Sequence, residues 1–177
     1  DLYVREVQQF GANVVLFNVG GIVANYPTEL PLHWKNTHME GDLVGKILPK
    51  LHAANIKMIG RFDFSKINEK FAAMHPEWLY VSEKGELVNY NGQVHTCLMG
   101  GYQQDYMYRI LAEAVTKYPL DGIFFNMIGF PRTDYSRVFH GVCQCENCKS
   151  LFGEYCGLDL PRHDGDARTL TKLNAWQ

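Results

Sequence analysis

Apolar positions along the chain follow two periods, one helical and one extended, and the two take turns. Residues 2–10 are amphipathic at helical spacing and stop at Gly11, a residue suited to closing a helix. NVVLFNVGG is a short β-branched run closed by glycines, which predicts a buried strand over Val14–Val19. From Asp42 to Ala54, the residues Leu43, Val44, Ile47, Leu48 and Leu51 return to helical spacing, with Pro49 out of place among them. IKMIGRFDF predicts a second strand, 66–74 a short helix, and WLYVSEKGELVNYNG (78–92) a β-hairpin turning at Lys84-Gly85. Residues 102–118 predict a strong helix with Tyr106, Ile110, Ala114 and Val115 on one face. LDGIFFNMIGF predicts a third core strand, and a cysteine-led helix begins near Cys145.

Strand followed by helix, repeated, implies a parallel sheet in an α/β fold. Two architectures compete, a doubly wound open sheet and a closed (β/α)8 TIM-type barrel. The open sheet usually carries a glycine fingerprint after its first strand, and VGGIVA matches it poorly. Polar residues instead gather at the carboxyl ends of all three strands, the working rim of a barrel. A whole barrel takes about 250 residues, and the chain has 177. The expectation is one domain over 1–177, an incomplete barrel with a hairpin insertion at about 78–92 and a cysteine cluster at 143–156.

Composition narrows the function. A net charge of −2 and a pI near 6.4 offer no basic face for nucleic acid. No run of about 18 apolar residues is present to span a membrane. The sequence opens on Asp1 without an initiator Met or a basic-then-apolar leader, so it is expected to be mature, trimmed or a fragment. Aromatic residues make up 13%, enough to fill a core and to supply rings that stack on sugars.

The rim supplies the candidate chemistry. In GRFDFS, Arg61 and Asp63 alternate outward at a strand end, either as a structural Arg–Asp pair or as a carboxylate held for substrate hydroxyls or a charged transition state. In DGIFFNM, Asp121 reads as a turn or cap, while Asn126 sits where the strand opens onto the rim and needs hydrogen-bond partners there. Asn cannot serve as acid, base or nucleophile in a carboxylate scheme. The long loop after the first strand contributes Asn18, Tyr26, His33, Trp34 and His38; each is a packing or surface residue taken singly, and together they offer a sugar subsite. His75 and Trp78 read as structural.

Four of the five cysteines lie between Cys143 and Cys156, whereas a disulfide framework would spread them across the chain. Cys143, Cys145 and Cys148 are too close in sequence for an unstrained disulfide and well spaced to converge on one metal. Reduced free thiols are the alternative. A fourth ligand could come from Cys97, Cys156, His140 or His95. A closed four-Cys site would be structural and would leave no open position for catalysis.

The stretch C-x-C-x-x-C-x-x-x-F (Cys143, Cys145, Cys148, Phe152), with LNAW near the end, resembles the β-galactosidases of glycoside hydrolase family 42. The run from GANVVLF through YPTELP, GDLVGKILPKLHAANIK, RFDFS, HPEW and LDGIFFNM to CQCENC is closer still to the hypothetical glycosyl hydrolases related to that family and to α-L-fucosidases. The resemblance implies a bacterial TIM-barrel O-glycosyl hydrolase of carbohydrate metabolism, acting on bacterial or plant-type oligosaccharides. It implies a structural zinc whose upstream ligand matches Cys97. Relatives are often oligomeric and often exported, so a homo-oligomer and a periplasmic, extracellular or cytoplasmic location all stay open. The relatives carry an acid where this chain has Asn126. Three explanations follow: an engineered Asp→Asn change, a natural carbohydrate binder without activity, or an active site using Asp63, Asp134 or Glu146.

Overall fold

The computed structural model describes residues 2–130 and 132–177. In chain order it contains α1 (Leu2–Gln9), β1 (Val14–Gly21), α2 (Leu43–Ala53), β2 (Lys57–Asp63), β3 (Lys66–Asn68), α3 (Glu69–Ala72), β4 (Asn89–Tyr90), β5 (Gln93–His95), α4 (Met107–Lys117), β6 (Gly122–Asn126), α5 (Glu146–Cys156) and α6 (Ala167–Trp176). One turn of 3₁₀ helix at Pro76–Trp78 and a π-helical stretch at Tyr102–Tyr106 complete it. The chain divides into two compact units, one running up to Phe64 and including Met107–Asn126, the other formed by Ser65–Tyr106 and Met127–Gln177. No helix among the described residues is long and apolar enough to cross a membrane.

The first unit is built on a parallel sheet in the order β1-β2-β6. Alternation along β2 buries Met58 and Phe62 against one layer. That layer comes from α2, through Val44, Leu48 and Leu51, and from α4, through Ile110 and Ala114. Each such fully buried Val, Leu, Ile, Met or Phe side chain contributes about 2 kcal/mol. Asp42 caps α2 by accepting from Gly45 N at 2.8 Å. Pro49 is accommodated inside α2, on its exposed side.

Two expectations change here. Val115 is not on the buried face of α4 but 47% exposed. β6 is an edge strand rather than a core strand, with Ile123, Phe124 and Phe125 38–44% exposed. On the sheet face away from the helices, Leu16 is also half exposed. A β-branched and aromatic run predicts burial only where a layer covers both faces, and here only one face is covered.

The second unit carries an antiparallel sheet, β3-β5-β4. The helix expected at 66–74 is a three-residue strand followed by the single turn α3. Ile67 pairs with Val94, and Asn68 then caps by accepting from Lys70 N. The hairpin turns at Asn91-Gly92, both at positive φ, which suits the tight turn between paired strands. Around Lys84-Gly85 there is a lesser turn, closed by one bridge between Val81 and Leu87. Val142, Phe152 and Leu173 form the core between α5 and α6.

Candidate functional site

At the carboxyl ends of the parallel strands the register sets Asn18 opposite Arg61 and Asp63 opposite Asn126. Arg61 donates to Asn18 Oδ1 at 2.6 Å, and Asn126 Nδ2 donates to Asp63 Oδ2 at 2.7 Å. The Arg61 guanidinium stands 3.6 Å from the same carboxylate oxygen. Asn18, Arg61, Asp63 and Asn126 thus form one polar chain across three strand ends. Gly21 makes room for it. Its φ is +99° and a Cβ there would lie 2.1 Å from Asp63 O, so only glycine lets the loop cross the strand end, where Ile22 N donates to that carbonyl at 2.7 Å. A carboxylate oriented by a guanidinium and a carboxamide can accept from a hydroxyl or face a developing positive charge.

The loop after β1 divides between core and surface. Tyr26 is fully buried, and His33 is 2% exposed; neither ring faces solvent, so neither can stack on a sugar as expected. Gly21 N donates to His33 Nε2 at 3.2 Å, so the ring proton belongs on Nδ1. That nitrogen finds no hydrogen-bond partner among the described residues. Burial pulls the His33 pKa down from 6.5 to about 4, and the ring is neutral at pH 7. Trp34 is half-buried, while Asn18 and His38 are exposed. Asp121 accepts from Met58 N and the His52 ring, which hold it below the usual carboxylate range and clip α2 to the sheet.

Glu113 was missed because, four residues before Lys117 on an amphipathic helix, it looks like one half of a surface pair. It accepts from Tyr26 at 2.8 Å, Thr28 at 2.6 Å and Glu29 N at 2.7 Å. Burial pushes its carboxyl up, and the bonds from Thr28, Glu29 and Tyr26 outweigh that and hold it low. The loop is anchored there.

In the second unit the Sγ atoms of Cys97, Cys143, Cys145 and Cys148 all lie within 4.8 Å of one another, and all four residues are buried. Cys97 Sγ is 3.3 Å from Cys148 Sγ and 3.5 Å from Cys145 Sγ. Four sulfurs at about 2.3 Å from one tetrahedral ion would stand roughly 3.8 Å apart, so the quartet could hold a metal ion. Val81 N and Met99 N donate to Cys143 and Cys97, the support that bound thiolates receive. Hydrogen bonding with Cys143, Cys148 and Cys97 holds the Cys145 thiol below its usual range. Cys156 stays outside the quartet and donates to Phe152 O. His140 is engaged by Asp134 at 2.9 Å. Glu146 is exposed and pairs with Lys149.

Several glycosidases of known structure share this fold. The chain superposes on alpha-L-fucosidase isoenzyme 2 from Paenibacillus thiaminolyticus with a TM-score of 0.68 at 22% identity, over 89% of this chain and 23% of that one. A beta-galactosidase from Rahnella sp. R3 gives 0.60 at 16% identity, over 97% and 22% of the two chains. A hypothetical protein from Ruminiclostridium thermocellum gives 0.58 at 23% identity, over 73% and 70%. At such identities the likeness is one of fold, TIM-barrel related, and the chain spans only 23% of the fucosidase's length. No curated protein matches it. The hypothetical glycosyl hydrolase 6 family model matches residues 1–127, and the chain belongs to that family.

Proposed function

We propose that the chain is a partial barrel of a glycoside hydrolase, binding oligosaccharide at the rim formed by Asn18, Arg61, Asp63 and Asn126, with Trp34 contributed by the loop after β1, and a structural zinc on Cys97, Cys143, Cys145 and Cys148. The observation that carries this reading is the 2.7 Å contact between Asn126 and Asp63 at adjacent strand ends, where barrels of this type keep their chemistry. In this reading Asp63 accepts from a sugar hydroxyl or faces the oxocarbenium-like charge of the transition state, and Arg61 and Asn126 fix its orientation. Tyr26, His33 and Glu113 act one layer back by holding the loop. The zinc ties two segments of the second unit and takes no part in the chemistry, since four thiolates close its coordination.

The same contact favours a second reading, a carbohydrate binder without hydrolytic activity. Acid and partner carboxylates in glycosidases stand about 5–9.5 Å apart, and residues 63 and 126 touch. With an acid at 126, two carboxylates in contact would compete for one proton and hold it to higher pH than either would alone. The carboxamide removes that proton. Hydrolysis of a panel of aryl glycosides by the chain in its full reading frame and by Asn126→Asp distinguishes the two. Activity in both supports a working hydrolase, and activity in the variant alone a disabled one. Sugar binding without turnover in either supports the binder, and neither binding nor turnover would overturn the carbohydrate reading.

A further inference from the structure

The second unit holds a cavity of its own. Ser65, Lys66, His95, Met127, Asp134 and Tyr135 line it, and its volume is about 60 Å3, room for about two waters. It can take one substituent of a ligand and not a whole sugar ring. Lys66 and His95 share its wall because they are direct partners across β3 and β5, with side chains on one face. Both are buried, at 3% and 6% exposure, whereas Tyr135 is 59% exposed and Tyr90 39%. The two tyrosine rings stand 6.3 Å apart at 57°. The Lys66 ammonium lies 4.6 Å from the centre of the Tyr135 ring, a cation–π contact that steadies both.

The charges in this wall select a class of group. Asp134 Oδ1 accepts from Ser136 N and Val138 N, and Oδ2 accepts from His140. Donation by His140 and by that loop backbone holds its carboxyl below the usual range. A fixed ammonium and a fixed carboxylate on one small cavity leave it close to neutral, so neither an anion nor a cation is favoured there. A neutral group that accepts from one side and donates to the other is favoured, and of a sugar's substituents the hydroxyl does both. Exposed aromatic rings beside such a pocket provide the apolar platform that a pyranose face covers.

We infer that Tyr135 and Tyr90 form a saccharide subsite, in which a neutral pyranose stacks on Tyr135 while one hydroxyl or hydroxymethyl group enters the cavity between Lys66 and Asp134. This rests on the carbohydrate reading and adds to it a place and a preference for neutral over acidic sugars.

Calorimetric titration of the full chain with neutral cello-, manno- and galacto-tetraose, and with matched uronate tetrasaccharides, tests it. At least one neutral sugar is expected to bind, and Tyr135→Ala to weaken that binding at least tenfold. Tyr135 is exposed, so the variant keeps the fold; Lys66→Met, if it folds, is expected to weaken binding similarly. Neutral binding that Tyr135→Ala leaves unchanged overturns the subsite while the carbohydrate reading stands. Uronates binding tenfold tighter than neutral sugars overturn the preference for a hydroxyl. Binding of none of them overturns both readings together.

Discussion

His33 shows how one buried group ties the site loop to pH. Its ring fills the space beside Gly20, where a Cβ would come within 3.1 Å, and it accepts from Gly21 N at the end of β1. Its pKa falls from 6.5 to about 4 in the fold because burial penalises the charged ring. Between those two values the unfolded chain binds the proton and the folded chain does not, so stability rises with pH across that window. Lowering the pH from 7 towards 4 should therefore cost about 3 kcal/mol through this residue alone. Urea unfolding measured at pH 7, 6, 5 and 4.5 should show that loss, and His33→Gln, which keeps an acceptor for Gly21 N, should flatten it. A parallel slope in both proteins would exclude His33 as the source. The placement of Asp63 and Asn126 at the ends of adjacent strands was legible in the sequence. The burial of His33 and Tyr26 was not, because an aromatic-rich loop reads the same whether its rings face a sugar or the core.

At the scale of elements, short-range pattern located the parallel β/α units and misplaced the pieces that depend on a distant partner. β1, α2, β2 and α4 each carry a period that one buried face imposes. β3 is three residues long and exists because Ile67 finds Val94 across the sheet, which no local period encodes. The turn expected at Lys84-Gly85 gives way to Asn91-Gly92, which joins the paired strands with both residues at positive φ. Pro49 sits inside α2 with no N–H to give the helix, on its exposed side. Pro49→Ala should restore that bond and raise stability by about 1–2 kcal/mol, the helix gain of about 3 being partly offset by a freer unfolded chain. A raised melting temperature with unchanged sugar binding is the expected result. A lower melting temperature would mean that the proline matches a bend the fold requires.

At the scale of the molecule, the second unit is assembled from two stretches of chain, and the cysteines are where those stretches are tied. Cys97 and Cys148 are 51 residues apart in sequence with sulfurs 3.3 Å apart, so an ion bound between them would close a long loop, and its binding energy would be folding energy. Four buried thiols around a single point are a poor core by themselves, and they become a good one when a divalent cation replaces their protons. The purified chain should therefore carry about one zinc, and a strong chelator at neutral pH should remove both the metal and the cooperative unfolding of this unit. Hydrogen exchange can locate the loss: amides of β3, β4, β5 and α5 should lose protection, while those of β1, β2 and β6 keep theirs. Cys97→Ser should reproduce that pattern, because it removes the ligand contributed by the first stretch. Cys156→Ser should not, since its sulfur donates only to Phe152 O. Metal-free protein with full protection in α5 would sink the zinc assignment and leave the quartet as buried reduced thiols. Zinc bound with unchanged protection on chelation would keep the site and remove its role in folding.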